Sequence, residues 1–500
     1  MKALLAALVV LLAAGCATVD PYAGEPMRDH LARRDEVGDC ARLFRDTDAT
    51  IDRAGTRDAL APRVPGFPYL RVDRFVESLG DRAVALPNGF APWSELMARL
   101  DRDARAVELG NAADAKLPQP AALDACRDLL AVTDRGRLAD LRAAAHVPDD
   151  YSLAMRALGL YPLTRLVFAA GIRRWHDETR ATFAAPAAER LPSIRYAPAA
   201  VVSLPQVPRS AAFQLPLRSR AEWAELLQRN APRLVVDTAT DDDRLGSLVW
   251  RDTRGAMRVG VDTRAPVAYA RVVFARLADR IVPQLVYTFW FPARPPAGSF
   301  DLLAGALDGI VWRVTLDDEF RPLVYDSIHP CGCYHLFFPT ERVRARPQPA
   351  SVDESMFAPQ TIVAPRDGEH VVLHVASRTH YLSGIDVEPD RVAAAATRYP
   401  IRDENELRRL PLPAGGTRSV YGPDGLIAGS ERPERFLFWP MGIESAGQMR
   451  QWGHHATAFV GRRHFDDPLL IDRYFERAPD GASDAPGAGV PVADLELGER

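Results

Sequence analysis

"APAAERLPSIRYAPAAVVSLPQVPRS" (residues 185–210) divides the chain into two textures. Before it, apolar residues recur three and four apart with charges between them, the period of helices that bury one face. "CARLFRDTDATIDRA" (40–54), "WSELMARLDRDARAVEL" (93–109) and "LDACRDLLAVTDRGRLADLRAAA" (123–145) all carry it. After it the period is two. "AMRVGVD" (256–262), "QLVYTFWF" (284–291), "GIVWRVTL" (309–316), "RPLVYDSI" (321–328), "EHVVLHVAS" (369–377) and "ERFLFWPM" (434–441) are rich in β-branched and aromatic residues. Runs of this kind bounded by Gly, Pro and Asp read as strands.

The expected fold class is therefore α+β: a helical N-terminal domain, then a β-rich, mostly antiparallel C-terminal domain. The helical domain is placed at 36–185, a Pro-rich connector at 186–210 and the β-rich domain at 211–477. Residues 478–500 have the composition of a disordered tail. A hairpin is expected around Asp317-Asp318, and a tighter one around Pro423-Asp424-Gly425. The nearly apolar run Leu158–Ile172 contains Pro162 and Arg165 and is expected to be a buried core helix.

The N-terminus reads as an address. Lys2 is followed by an apolar run from Ala3 to Ala14, long enough for a signal-peptide core and too short to span a bilayer. It ends in Ala13-Ala14-Gly15-Cys16, which resembles the lipobox of bacterial lipoproteins, although Ala13 stands where that family prefers Leu. The resemblance implies a signal peptide at 1–15, lipid on Cys16 and a polar tether at 16–35. Since Ala17 and not Asp follows the cysteine, it also implies the periplasmic face of the outer membrane. Cleavage after Ala17, giving a soluble secreted protein, is the alternative. The partners expected on this reading are the membrane, through lipid on Cys16, and an envelope ligand or protein.

A net charge of −4 gives no basis for a nucleic-acid partner. Lys2 and Lys116 are the only lysines, so 60 of the 62 basic residues are Arg, a skew read as a matter of genome composition. With Cys16 carrying lipid, four cysteines remain for an oxidising compartment. Cys40 and Cys126 lie on helical segments of one region and form the natural pair, leaving Cys331 and Cys333 to each other.

Of eleven histidines, eight lie between 329 and 464. "SIHPCGCYHLFFP" (327–339) sets His329, Cys331, Cys333 and His335 within seven residues. Pro330 and Gly332 favour a tight loop there, able to gather donors around one ion. His374 and His380 are candidates to complete the set. Thiolate and imidazole ligands suit Zn or Cu, and an open coordination position would allow metal-dependent hydrolysis. The competing readings are a Cys331–Cys333 disulfide and a non-catalytic binding or assembly module.

Other groups have plainer readings. His454, His455, His464, Asp466 and Asp467 read as a surface strand ending in a solvated turn, and Asp241-Asp242-Asp243 as another solvated turn. His176 reads as a polar helix residue.

Overall fold

The computed structural model describes residues 20–112, 117–185, 192–253, 255–390 and 396–479. The expected signal peptide, Cys16 and nearly all of the expected tail lie outside them.

Helices occupy the first part of the chain: α1 (Glu25–Ala32), α2 (Glu36–Ala54), α3 (Phe90–Asn111), α4 (Pro120–Thr133), α5 (Leu153–Leu158) and α6 (Tyr161–Ala184). The stretch expected to be a tether thus contains α1, which Pro26 starts and whose inner face buries Met27 and His30. Asp35 caps α2 by accepting from the Gly38 amide, and Gly55 ends it at φ +66°. A Cys40–Cys126 disulfide joins α2 to α4, as expected from the sequence. Beneath it lies a buried ionic lattice: Asp101 accepts from Arg71, Arg105 and Arg127, and Arg71 also reaches Glu108 at 2.6 Å.

The C-terminal part is built on a ten-stranded sheet. Its strands are β1 (Ser193–Val201), β2 (Arg233–Asp237), β3 (Ala268–Leu277), β4 (Arg280–Arg294), β5 (Gly305–Leu316), β6 (Pro322–Ile328), β7 (Leu336–Pro339), β8 (Glu369–Val375), β9 (Leu382–Pro389) and β10 (Thr397–Asp403). They lie in the order β7-β6-β5-β4-β3-β10-β1-β2-β8-β9. Pairing is mostly antiparallel, with β10 parallel to β3 and β1, and β2 parallel to β8. The helical and β-rich parts expected from the sequence are both present.

Several elements differ from expectation. The Pro-rich stretch is not all connector, because β1 runs through its middle and pairs on both sides. The proline problem is met locally: the β1–β10 register shifts between Tyr399 and Ile401, at Pro400 and just past Pro198. "ERFLFWPM" is not a strand but a helical turn, α8 (Arg435–Phe438), followed by a 3₁₀ turn at Trp439–Met441. The segment around Pro423-Asp424-Gly425 closes a turn, Gly422 N to Leu426 O at 2.8 Å, without a strand ladder. The Asp317-Asp318 hairpin forms as expected, joining β5 to β6.

One face of the sheet carries the main core. Tyr287, Phe289, Trp312, Tyr325 and Leu373 pack there against helix α7 (Arg220–Asn230) through Trp223 and Leu227, with Trp175 and Phe183 of α6 at its margin. Arg408, in a 3₁₀ segment after β10, reaches back to Asp58 at 2.7 Å and ties the sheet to the helical part.

Candidate functional site

Strand β5 places a carboxylate where the alternation demands an apolar residue. Ile310, Trp312 and Val314 face the main core, and Asp308, on the same parity, is completely buried with them. A buried charge is tolerated only when it is paired and hydrogen-bonded. Asp308 Oδ1 takes His329 Nδ1 at 3.1 Å, the Gly309 amide at 3.0 Å and Arg432 Nη2 at 3.3 Å. Its Oδ2 takes His380 Nδ1 at 2.9 Å. Burial opposes ionisation, but Arg432 and the two imidazoles hold this carboxyl well below the usual range.

His329 follows the end of β6, in a turn closed by its own amide on Cys333 O at 3.0 Å and by Gly332 N on its carbonyl at 2.8 Å. Gly332 sits at φ +92°, and a Cβ there would lie 2.7 Å from the Ala456 carbonyl oxygen, so glycine is required. Burial pushes the His329 imidazolium down, and Arg294 and Arg432 add to this against Asp308. The ring is therefore neutral near pH 7. Because an ionised carboxylate can only accept, its proton sits on Nδ1 and the Nε2 lone pair is left for the cleft that His329 lines.

His380 completes the row. It stacks on Phe291 with centroids 3.9 Å apart and bridges Asp308 to Asp243, 3.4 Å from Nε2. Burial works against its charge, but the two carboxylates raise its pKa. Asp243, expected in a solvated turn, is buried. It accepts from the amides of Ala239, Thr240 and Arg378, fixing the β8–β9 turn that carries His380.

The cleft measures about 230 Å³. Helix α6 closes one side with Trp175, Glu178 and Thr179; Ser327, His329 and Tyr334 form the floor, and Thr379 and Tyr381 the opposite wall. Tyr334 and Tyr381 lie 4.5 Å apart, centroid to centroid, and Arg294 donates to Tyr381 Oη at 3.0 Å. Tyr334 and His380 both hold positive φ, 63° and 53°. For non-glycine residues this costs of order 1–3 kcal/mol each and tends to mark functional sites.

The chain matches no family model, no curated protein and no solved structure. The site is therefore read from its own geometry.

The six side chains expected to bind one ion are dispersed. His329 and His380 meet, but through Asp308. Cys331 and Cys333 are buried free thiols in contact with each other, and a hydrogen bond from Cys333 lowers the Cys331 thiol. His335 points to the other face of the sheet, 2.9 Å from Asp326, which is clamped by Arg313 at 2.5 Å. His374 pairs across strands with Asp386 at 2.7 Å. Among the described residues no group of three or more His, Cys, Asp or Glu is arranged to hold a metal ion. The expected Zn or Cu ligand set is not gathered at one point, because His329 and His380 share Asp308 while His335 and His374 are held by Asp326 and Asp386.

The third histidine group also differs from expectation. His455 is buried, and His454 and His464 bind Asp150 and Asp149 at the joint with the helical part, at 3.2 Å each. His176 is no polar surface residue: it stacks on Phe357 at 4.1 Å, and burial lowers its pKa to about 4. Of the residues missed, Asp308 had a signal, a carboxylate on the apolar parity of a strand; Arg294, at the end of β4, had none. Tyr334, Tyr381 and Arg432 had none.

Proposed function

We propose that this is a lipid-anchored envelope protein whose cleft is a His–Asp general-base site, a hydrolase of small substrates. The observation that carries it is the Asp308–His329 pair, which engages Nδ1 and leaves Nε2 for a ligand on a residue that lines the cleft. A neutral imidazole oriented by a buried carboxylate is the standard arrangement for taking a proton near neutral pH. Among the described residues no hydrogen bond joins Ser327 to His329, so the proton taken is that of a bound water or of the ligand itself. Tyr381, whose hydroxyl is fixed by Arg294 and Tyr334, supplies a donor to a developing oxyanion. A cleft of about 230 Å³ is smaller than the usual pocket for drug-sized ligands, roughly 300–1,000 Å³, and selects a small molecule or one end of a larger one.

The test is turnover of small 4-nitrophenyl esters by the purified mature chain. Wild type should hydrolyse at least one, and His329→Gln should reduce kcat by roughly 10²–10⁴-fold, the usual worth of a general base. Turnover unchanged in His329→Gln contradicts the assignment. The address is tested separately, by mass spectrometry of the N-terminal peptide for lipid on Cys16.

A further inference from the structure

Helix α6 is apolar on two sides. Its inner side, Phe168, Ala169 and Ile172, packs on Met441 and Val460. Its outer side carries Leu163, Leu166 and Val167 at helical spacing, and Val167 is 74% exposed. A helix that is hydrophobic all round belongs inside something, and this run was expected in the core. Instead its outer side is uncovered, and α8, whose Phe438 meets Phe168 of the inner side at 5.2 Å, adds Phe436, 73% exposed, and Leu437. Leu160, at the start of α6, is 62% exposed and extends the same surface. Adjoining apolar side chains on this scale mark a contact surface, unlike apolar residues scattered singly.

We propose that the α6–α8 face docks onto the anionic phospholipid surface of the membrane that holds the N-terminus. The inference takes the lipid on Cys16 as given and is independent of the chemistry of the cleft. The leash is short: Asp20, the first described residue, is four residues from Cys16, a span of at most ~14 Å. A body held so closely must rest some face on the bilayer. The chain is fixed to the body directly after this leash, where Pro21 O receives the Gly66 amide at 2.8 Å. Arg173 and Arg174 are exposed within two turns of the apolar side chains, and Arg435 flanks them on α8. An apolar face edged by arginines is the pattern of helices that lie in the interface of anionic membranes. Among the described residues no helix is long and apolar enough to cross a membrane, so the contact proposed is peripheral.

The experiment is flotation of the otherwise complete mature chain carrying Cys16→Ser, which removes the lipid. The vesicles are phosphatidylethanolamine with phosphatidylglycerol, or phosphatidylcholine alone. The chain should float with the anionic vesicles and less with the neutral ones. Leu166→Asp with Val167→Asp should weaken binding at least roughly tenfold, while circular dichroism and the thermal midpoint stay unchanged. Arg173→Ser with Arg174→Ser should lower binding and flatten its salt dependence. Failure to float with either vesicle, or equal flotation of the Leu166/Val167 variant, overturns the proposal. So does a concentration-dependent dimer that these substitutions abolish, since the occupant is then a second copy. An absence of lipid on Cys16 in the native protein defeats the anchor reading instead, and the vesicle result stands apart from it.

Discussion

His329 and His380, from different turns of the sheet, hold opposite oxygens of one buried carboxylate: Nδ1 of the first lies 3.1 Å from Asp308 Oδ1, and Nδ1 of the second 2.9 Å from Oδ2. The two rings sit in different electrostatic settings. Burial and two arginines leave His329 neutral, whereas His380 between two carboxylates favours the proton. Separation of this kind distinguishes a base from a structural cation within one cluster.

Asp308→Asn should therefore damage both stability and chemistry. It leaves Arg432 without its anion and His380 with Asp243 alone, and removing one partner of a buried ion pair costs about 3–5 kcal/mol. Urea denaturation should show the loss as a lower midpoint with an unchanged slope.

Catalysis should share the acid limb of His329. Because its folded pKa is lowered, kcat/KM should fall only below about pH 6.5, the ordinary imidazole value, and stay level through neutrality. A pH–rate profile on the most reactive ester checks this. An acid limb above that value assigns the proton transfer to another group.

Acid should also unfold the protein through the other buried imidazoles. Burial lowers His335 to about 4 and His455 to about 3. Groups with depressed folded pKa contribute stability fully present above the unfolded value and lost as pH falls through the folded one. The window thus runs from about pH 6.5 down to about 3–4, with His335 alone contributing about 3 kcal/mol. His335→Gln should flatten part of that slope in denaturation measured between pH 7 and 4.

The thiol inventory is equally definite. The structure predicts one disulfide, Cys40–Cys126, and two thiols, Cys331 and Cys333, that resist Ellman's reagent in the native protein and titrate after denaturation. A count of zero in the denatured, unreduced protein would mean that Cys331 and Cys333 close on each other. Cys40→Ser with Cys126→Ser should cost up to about 4.6 kcal/mol, the chain-entropy value for a closed loop of this length, 86 residues of separation.

Much of the fold was legible because period reports burial directly. Val371, Leu373 and Val375 face the main core as their alternation requires. Legibility failed where tertiary context overrode local signals. The prolines of the 186–210 stretch mark a connector by composition although β1 runs through it, and aromatic density in "ERFLFWPM" imitates a strand. The site was half legible. The histidine cluster and the turn through Pro330 and Gly332 were visible, but the relevant partner was a carboxylate at 308, distant in sequence and set by strand pairing. The arginine skew was read as composition alone. The structure uses arginine throughout as a buried counter-ion: Arg71, Arg127, Arg313, Arg408 and Arg432 are all almost fully enclosed. Its planar fork suits such pairing better than lysine.

The central claim is that His329 is a neutral base whose proton is held by Asp308. The direct measurement is nitrogen NMR of the full mature chain with labelled histidine, His329 being assigned by its loss in His329→Gln. The account predicts a neutral ring at pH 7 with the proton on Nδ1, titrating below about pH 6.5, and a change of tautomer or pKa in Asp308→Asn. A His329 that is imidazolium at pH 7, or that carries its proton on Nε2, would contradict it.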